Sequence, residues 1–113
     1  MVSNMENEQL DLEMICFQII AFAGGARTKY IEAAESARNH KLEDAQSLID
    51  EGDEVFAQAH DVHTKLLQAD AASDEPLDFN ILLLHAEDQL MSAETIKIMV
   101  LELMHVYNQI DKK

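Results

Sequence analysis

The chain has 113 residues and a formal net charge of −14, because 22 acidic residues face only eight Lys and Arg. This length fits a single domain with one hydrophobic core and is too short for two. The charge argues against nucleic acid as a partner, since Lys and Arg must displace the counterions of a phosphate backbone. It favours encounter with a basic protein surface instead.

The composition favours helix over strand. Ala, Leu, Ile, Met, Glu, Gln, Asp and Lys dominate, with only three glycines and one proline. Residues 1–7 carry no periodic apolar signal and are expected to form a flexible N-terminal arm, which leaves 8–113 as the folded domain. We therefore predict an all-α protein.

The first predicted helix covers Glu8–Ala37, where apolar residues recur every three or four positions. The pair Gly24-Gly25 falls inside it. Each glycine costs roughly 1 kcal/mol against alanine in a helix interior. The pair therefore indicates either a bend or break in the helix, or a place where another group comes close to the backbone.

Two further helices follow. A turn at Asn39-His40 precedes a second helix over 41–70, residues 71–76 (AASDEP) read as a linker, and a third helix spans 77–110. Apolar residues cover more of helix three than one intramolecular face requires. We expect an antiparallel three-helix bundle that hides this surplus in a symmetric homo-oligomer.

Cys16 is the only cysteine and lies in the apolar run Met14-Ile15-Cys16-Phe17, so it is predicted to be a buried, unreactive thiol. The acidic, polar N-terminus does not resemble a secretion signal. No stretch approaches the roughly 20 apolar residues of a membrane span. These features predict a cytoplasmic protein whose role in any membrane process depends on partners.

A polar cluster stands out within helix three. His85, Asp88 and Gln89 are spaced to share one helix face, and Ser92 follows one turn later, in a segment otherwise rich in Leu and Met. A neutral imidazole nitrogen is a nucleophile at cytoplasmic pH and suits phosphoryl transfer. Gln89 and Ser92 are candidate donors to the phosphoryl oxygens. The same spacing also fits a hydrogen-bonded structural histidine.

Three separate segments resemble the lactose/cellobiose-specific enzyme IIA family of the sugar phosphotransferase system. They are HAEDQLM at 85–91, IIAFAGGARTKYIEA at 19–33 and QAHDVHTKLL at 58–67. The resemblance runs in order from about residue 10 to residue 108. It implies a phosphotransferase component built as a homotrimer of three-helix subunits.

The resemblance also implies the partners. The histidine phosphocarrier protein would donate a phosphoryl group to His85, the catalytic residue, which would pass it to a cysteine of enzyme IIB. The sugar would be phosphorylated as it enters through the membrane component, enzyme IIC. By the same resemblance, Asp88 would meet its two symmetry mates on the trimer axis and bind a divalent cation, usually magnesium. A hard cation would neutralise three converging carboxylates.

This chain departs from the family pattern at two positions. Gln89 stands where the family usually has a second histidine, and His63 stands where it usually has glutamine. If the two side chains face each other beside His85, the exchange preserves one imidazole and one amide in the site. Two independent surface changes are the alternative.

Two other classes of protein agree less well with the sequence. A histidine phosphotransfer domain of two-component signalling is also helical, but it usually has a lysine and a glycine soon after its histidine, and here Glu87, Asp88 and Gln89 follow. A metal-binding helical bundle needs carboxylate and histidine pairs on several helices. His60 and His63 are three residues apart, but no further ligand completes a site at recognisable spacing. His40 and His105 are expected to be partly exposed.

Overall fold

The computed structural model describes the backbone of residues 3–113 and the side chains of residues 12–113. It contains three helices, α1 (Ser3–Arg38), α2 (Leu42–Ala72) and α3 (Ile81–Asp111), and no strand in the described part of the chain. The predicted all-α class is confirmed. Of the arm expected at residues 1–7, Met1 and Val2 lie outside the described residues, and α1 begins at Ser3.

The glycine pair does not break α1, which continues through both positions. A Cβ added at Gly25 would lie 3.4 Å from the Cγ1 of Val55 on α2, whereas one at Gly24 would meet nothing within 4 Å. Of the alternatives left open by the sequence, a break in the helix is therefore excluded. Gly25 marks an ordinary contact with α2, and Gly24 faces open space.

The connection between α1 and α2 is a tight C-terminal cap centred on His40. The backbone N–H of His40 donates to the carbonyl of Ala37 at 3.1 Å, and that of Lys41 donates to Ser36 at 2.9 Å. His40 has a φ of 65°, the left-handed conformation that this Schellman arrangement requires and that usually selects glycine. The cap reverses the chain within three residues, so α2 runs back along α1.

Helix α3 begins four residues later than the sequence indicated. The side-chain oxygen of Asn80 accepts from the N–H of Leu83 at 2.8 Å, which makes Asn80 the N-cap. Leu77 lies in the connection and packs against the core. Because Leu77 is apolar, it continued the sequence pattern of α3. It is half-buried against the core without being part of the helix.

Helix α1 packs along both other helices, while α2 and α3 touch each other at few points. The core forms two clusters, because the bundle is long and thin at 68 × 21 × 18 Å. One cluster, which includes Cys16, Leu66, Leu83 and Leu90, lies beside the first half of α3. The other surrounds Tyr30, Ile49 and Val100 and extends from the middle of the bundle towards the opposite end.

A hydrogen bond and an ion pair join all three helices at the middle of the bundle. The hydroxyl of buried Tyr30 on α1 donates to Asp53 Oδ1 on α2 at 2.7 Å, and Lys97 Nζ on α3 lies 2.9 Å from the same oxygen. These contacts fix the register of the helices. Over the residues described, none of the helices is long and apolar enough to cross a membrane.

Candidate functional site

His85 lies in the second turn of α3, and its side chain is exposed to solvent. Its neighbours Leu83 and Ala86 are buried in the core, which fixes the backbone on which the imidazole is carried. The side chain of His85 takes part in none of the side-chain hydrogen bonds or ion pairs within residues 12–113. The ring is thus held on a rigid helix, and no other side chain of residues 12–113 occupies its nitrogens.

The other residues of α3 predicted for the site differ in how exposed they are. Asp88 is exposed like His85, whereas Gln89 and Ser92 are half-buried. The polar cluster therefore occupies a wider arc of α3 than a single face. Gln89, one turn beyond His85, is the nearer of the two amide or hydroxyl donors along the helix.

Asp88 interrupts a line of exposed apolar side chains that we call the outer stripe of α3. The stripe consists of Ile81, Leu84, Asp88 and Met91, spaced three or four residues apart, and of Ile98, which lies two turns beyond Met91. Its four apolar members are all more than half exposed. This confirms the prediction that α3 carries more apolar surface than the bundle buries.

A single chain offers no complete metal site in its described part. No group of three or more His, Cys, Asp or Glu side chains comes together there. Asp88 contributes one carboxylate, and His60 and His63 acquire no third ligand. Any cation at Asp88 would need carboxylates from further copies of the chain.

His63 contacts Glu87 rather than Gln89. Its Nε2 lies 2.8 Å from the Glu87 Oε1, and because a carboxylate only accepts, that nitrogen carries the hydrogen. Glu87 and Gln89 lie on opposite flanks of α3, since two residues turn a helix by about 200°. The direct pairing of His63 with Gln89 suggested by the sequence is therefore wrong.

Sequence reasoning missed Glu87, although it stands two residues from His85. Nothing in its spacing distinguishes it from an ordinary solvated glutamate. Only the antiparallel register of α2 and α3, which also aligns Asp53 with Lys97, brings His63 opposite it. With His63 mostly buried, the pair joins α2 to α3 just behind the candidate site.

Cys16 lies in the core cluster beneath the start of α3 and is buried, as predicted. Burial raises the pKa of its thiol, and the nearby negative charges of Glu87 and Glu13 raise it further. The sulfur therefore stays protonated and inaccessible. His85, not Cys16, is the available nucleophile at this end.

The remaining histidines lie elsewhere. His40 Nδ1 is 2.6 Å from Asp111 Oδ1, an exposed contact that joins the α1–α2 turn to the end of α3. His60 and His105 are exposed, which confirms the expectation for His105.

Negative charge is concentrated at the end of the bundle that carries His85. Residues 58–94 contain eight carboxylates and one basic residue, Lys65. The other seven Lys and Arg lie in 25–57 and 95–113, in the middle of the bundle and at its opposite end. The antiparallel path of α2 places all of 58–94 around the start of α3, so the candidate site sits in a strongly negative field.

Comparisons with known proteins agree with one another. The family described as "PTS system, Lactose/Cellobiose specific IIA subunit" matches residues 14–108. A lactose-specific EIIA component of Staphylococcus epidermidis is 32% identical over 99 residues, covering 88% of this chain and 94% of that protein. A lichenan-specific phosphotransferase enzyme IIA component of Bacillus subtilis is 33% identical over 103 residues, covering 91% and 93%.

A solved structure shows the same fold. The crystal structure of the cellobiose-specific enzyme IIA from Bacillus anthracis superimposes with a TM-score of 0.85 at 32% sequence identity. The superposition covers 88% of this chain and 91% of that one.

Proposed function

Because the chain belongs to the lactose/cellobiose-specific IIA family of the sugar phosphotransferase system, we propose that it carries a phosphoryl group on the imidazole of His85. The observation that supports this most directly is the exposed side chain of His85 on a rigid helix, without a hydrogen bond or ion pair to another described side chain. The phosphoryl donor in this proposal is the histidine phosphocarrier protein, and the acceptor is a cysteine of enzyme IIB in the cytoplasm.

The transfer is a pair of nucleophilic substitutions at phosphorus. An unprotonated nitrogen of His85 attacks the phosphorus, the bond from phosphorus to the donor nitrogen breaks, and that nitrogen recovers its lone pair. The enzyme IIB thiolate then attacks the phosphohistidine, and the His85 nitrogen is the leaving group. Both steps need close approach of a second protein, which the exposed position of the ring allows.

The residues around His85 position the group and supply hydrogen bonds in this proposal. Gln89 lies one turn along α3 on the flank towards α1, and its amide can donate to a phosphoryl oxygen. Ser92 lies further along and would contact the group only through a longer network. His63 donates a hydrogen bond to Glu87, and its role in this proposal is to hold α3 in position beside α2.

We further propose that three copies assemble around the outer stripe of α3. Four exposed apolar residues of the stripe would be covered, and Asp88 would meet its two symmetry mates. One carboxylate from each copy forms a hard oxygen donor set suited to a divalent ion such as Mg²⁺. When bound, the ion supplies charge neutralisation between the subunits.

In this proposal the sugar is bound by a later component of the phosphotransferase system and not by this chain. The chain is about equally similar to relatives named for lactose and for lichenan, which fits a carrier that never touches the sugar. Sugar recognition would belong to enzyme IIC, reached through enzyme IIB.

A two-step chase tests the relay. The chain is labelled with enzyme I, the histidine phosphocarrier protein and radioactive phosphoenolpyruvate, repurified, and mixed with enzyme IIB. We expect the label to move to enzyme IIB, and to return to the chain when excess phosphorylated enzyme IIB meets unlabelled chain. Label that stays on the chain, or is lost only to water, contradicts a carrier role.

A further inference from the structure

The outer stripe of α3 does not stop at Ile98. Exposed residues continue it at steps of three and four to the end of the helix, with Thr95 before Ile98 and with Glu102, His105 and Gln109 after it. The buried residues of α3 keep the same seven-residue repeat on the opposite side of the helix, at Leu83, Ala86, Leu90, Ala93 and Val100. Because a pattern that repeats every seven residues stays on one side of a supercoiled helix, the stripe forms one continuous face along α3.

Two members of this continued stripe, Glu102 and His105, have side chains that can bind metal ions. They are three residues apart and lie on neighbouring turns of one face. Side chains on a helix tilt towards its N-terminus, which directs His105 towards Glu102. Neither side chain takes part in the side-chain hydrogen bonds or ion pairs within residues 12–113. A Glu-x-x-His pair carried by more than one helix of a bundle is an arrangement that binds transition-metal ions.

One chain holds only two of the ligands that such a site needs. No third His, Cys, Asp or Glu joins them within residues 12–113. The groove beside His105 is also lined by Leu42, Gln46, Met104 and Asn108, none of which carries a charge. Further ligands must therefore come from other copies of the chain, which an assembly around the outer stripe would bring to the same level of its axis.

We propose that Glu102 and His105 from three copies of the chain form a second metal site on the axis of the assembly. The site rests on the three-copy assembly proposed above and adds a second ion to it. Glu102 lies about 21 Å from Asp88 along the helix axis, so the two levels cannot share one ion.

The ligands at this second site differ from those at Asp88. Imidazole nitrogens with carboxylates beside them suit Zn²⁺ or a similar transition-metal ion, whereas the carboxylate oxygens of Asp88 suit Mg²⁺. The imidazoles of His105 bind the ion, and the Glu102 carboxylates accept hydrogen bonds from the other ring nitrogens. The ion also offsets the repulsion among three carboxylates that assembly brings together. Because only a neutral imidazole binds metal, the ion is released when His105 becomes protonated at acidic pH.

Calorimetric titration of the full chain with Zn²⁺ at pH 7.5 tests this site, with excess Mg²⁺ present to occupy the Asp88 carboxylates. Wild type should bind one Zn²⁺ per three chains at pH 7.5 and none at pH 5.5. His105→Leu should lose this binding, while leucine adds an apolar side chain to the stripe and keeps the chain assembled. Glu102→Gln should weaken Zn²⁺ binding about tenfold, as expected for a residue that orients a metal-binding histidine.

Two exposed residues outside the stripe provide matched controls. His60→Leu removes an imidazole from α2, and Glu94→Gln removes a carboxylate from a flank of α3. Both variants should bind Zn²⁺ as wild type does. Circular dichroism and sedimentation of the same samples establish that each variant is folded and assembled.

Assembled wild type that binds no Zn²⁺, or His105→Leu that binds it as tightly as wild type, overturns the site. Zn²⁺ binding that is lost in His60→Leu instead shows an adventitious surface ion and overturns it too. If His105→Leu is folded but monomeric, unchanged Zn²⁺ affinity in assembled Glu102→Gln overturns the site. A chain that is monomeric under all conditions overturns both the site and the proposed assembly.

These outcomes are separate from the fate of the proposed function. If the chain accepts phosphate on His85 but lacks the Zn²⁺ site, the carrier function stands and this inference fails. If the chain binds Zn²⁺ through His105 but never accepts phosphate, the metal site stands and the carrier function fails.

Discussion

The imidazole of His63 on α2 lies 2.8 Å from the carboxylate of Glu87 on α3, two residues beyond His85. It is one of two polar side-chain contacts between α2 and α3, which touch at few points; the other joins Asp53 and Lys97. The link restrains α3 where the candidate phosphoryl acceptor is carried.

A double-mutant cycle should show that His63 is coupled to Glu87 and not to Gln89. We expect His63→Gln and Glu87→Gln to interact by about 1 kcal/mol in the free energy of unfolding, because they share one partly buried hydrogen bond. His63→Gln and Gln89→His should be additive, both in stability and in phosphoryl-transfer rate. Restoration of transfer by the second pair would revive the compensating exchange that the structure argues against.

The contact between Gly52 and Tyr30 predicts that alanine is not tolerated at position 52. A Cβ there would lie 2.6 Å from Tyr30 Cε1 and 2.9 Å from Cδ1. The ring cannot move aside, since it is buried and its hydroxyl is held by Asp53. Overpacking of about 1–3 kcal/mol should outweigh a helix-propensity gain of up to about 1 kcal/mol.

Gly24→Ala is the matched control for this prediction, because an added Cβ meets nothing within 4 Å. It should stabilise the folded chain by about 0.5–1 kcal/mol. Urea denaturation of both variants measures the difference, and a Gly52→Ala variant as stable as Gly24→Ala contradicts the packing described for Tyr30.

Tyr30 should make stability depend on alkaline pH. Burial raises the pKa of its hydroxyl, and the hydrogen bond and charge of Asp53 raise it further, above the ordinary value of 10.0. The folded state therefore favours the neutral phenol, so its contribution is complete below pH 10 and is lost as the pH rises above that value. Tyr30→Phe should cost about 1 kcal/mol at pH 8.

The difference in the free energy of unfolding between wild type and Tyr30→Phe should decrease as the pH rises above 10. Tyr30 then ionises in the unfolded wild-type chain, whereas phenylalanine cannot ionise. Urea denaturation across pH 8–11 measures it. A difference between the two proteins that stays constant over this range contradicts the assigned environment of Tyr30.

The sequence predicted the three helices because apolar periodicity is a local property, and α1, α2 and α3 each carry it. It misplaced the start of α3 because Leu77 continues the apolar pattern, whereas the side-chain cap of Asn80 decides where the helix begins. His85 and Asp88 were found through their polar character in an apolar segment and through family resemblance. The contact of Glu87 with His63 depends on how α2 and α3 align, and no local sequence pattern predicts that alignment.

Asp88 should control assembly if three copies meet at the outer stripe of α3. Chelation should weaken the wild-type oligomer, because three carboxylates would then repel without a cation. Asp88→Leu should assemble without metal, since apolar side chains replace charges that must be neutralised. Sedimentation equilibrium with and without chelator measures both, and Leu101→Ala is the control at an unrelated exposed position.

A monomer under all conditions contradicts this assembly, as does an oligomer that responds neither to the chelator nor to Asp88→Leu. Loss of assembly in Asp88→Leu would show that the carboxylate acts by an attractive contact within the protein rather than as a shared ligand.

Intact-protein mass spectrometry of the chain after incubation with phosphoenolpyruvate, enzyme I and the histidine phosphocarrier protein tests the central claim most directly. The account predicts one acid-labile phosphoryl group per chain in wild type and in His60→Ala, and none in His85→Ala, with all three proteins folded. Exposed His60, also on the surface of the bundle, controls for nonspecific histidine phosphorylation. A stoichiometric acid-labile phosphoryl group on His85→Ala, or none on wild type with active donor proteins, would contradict it.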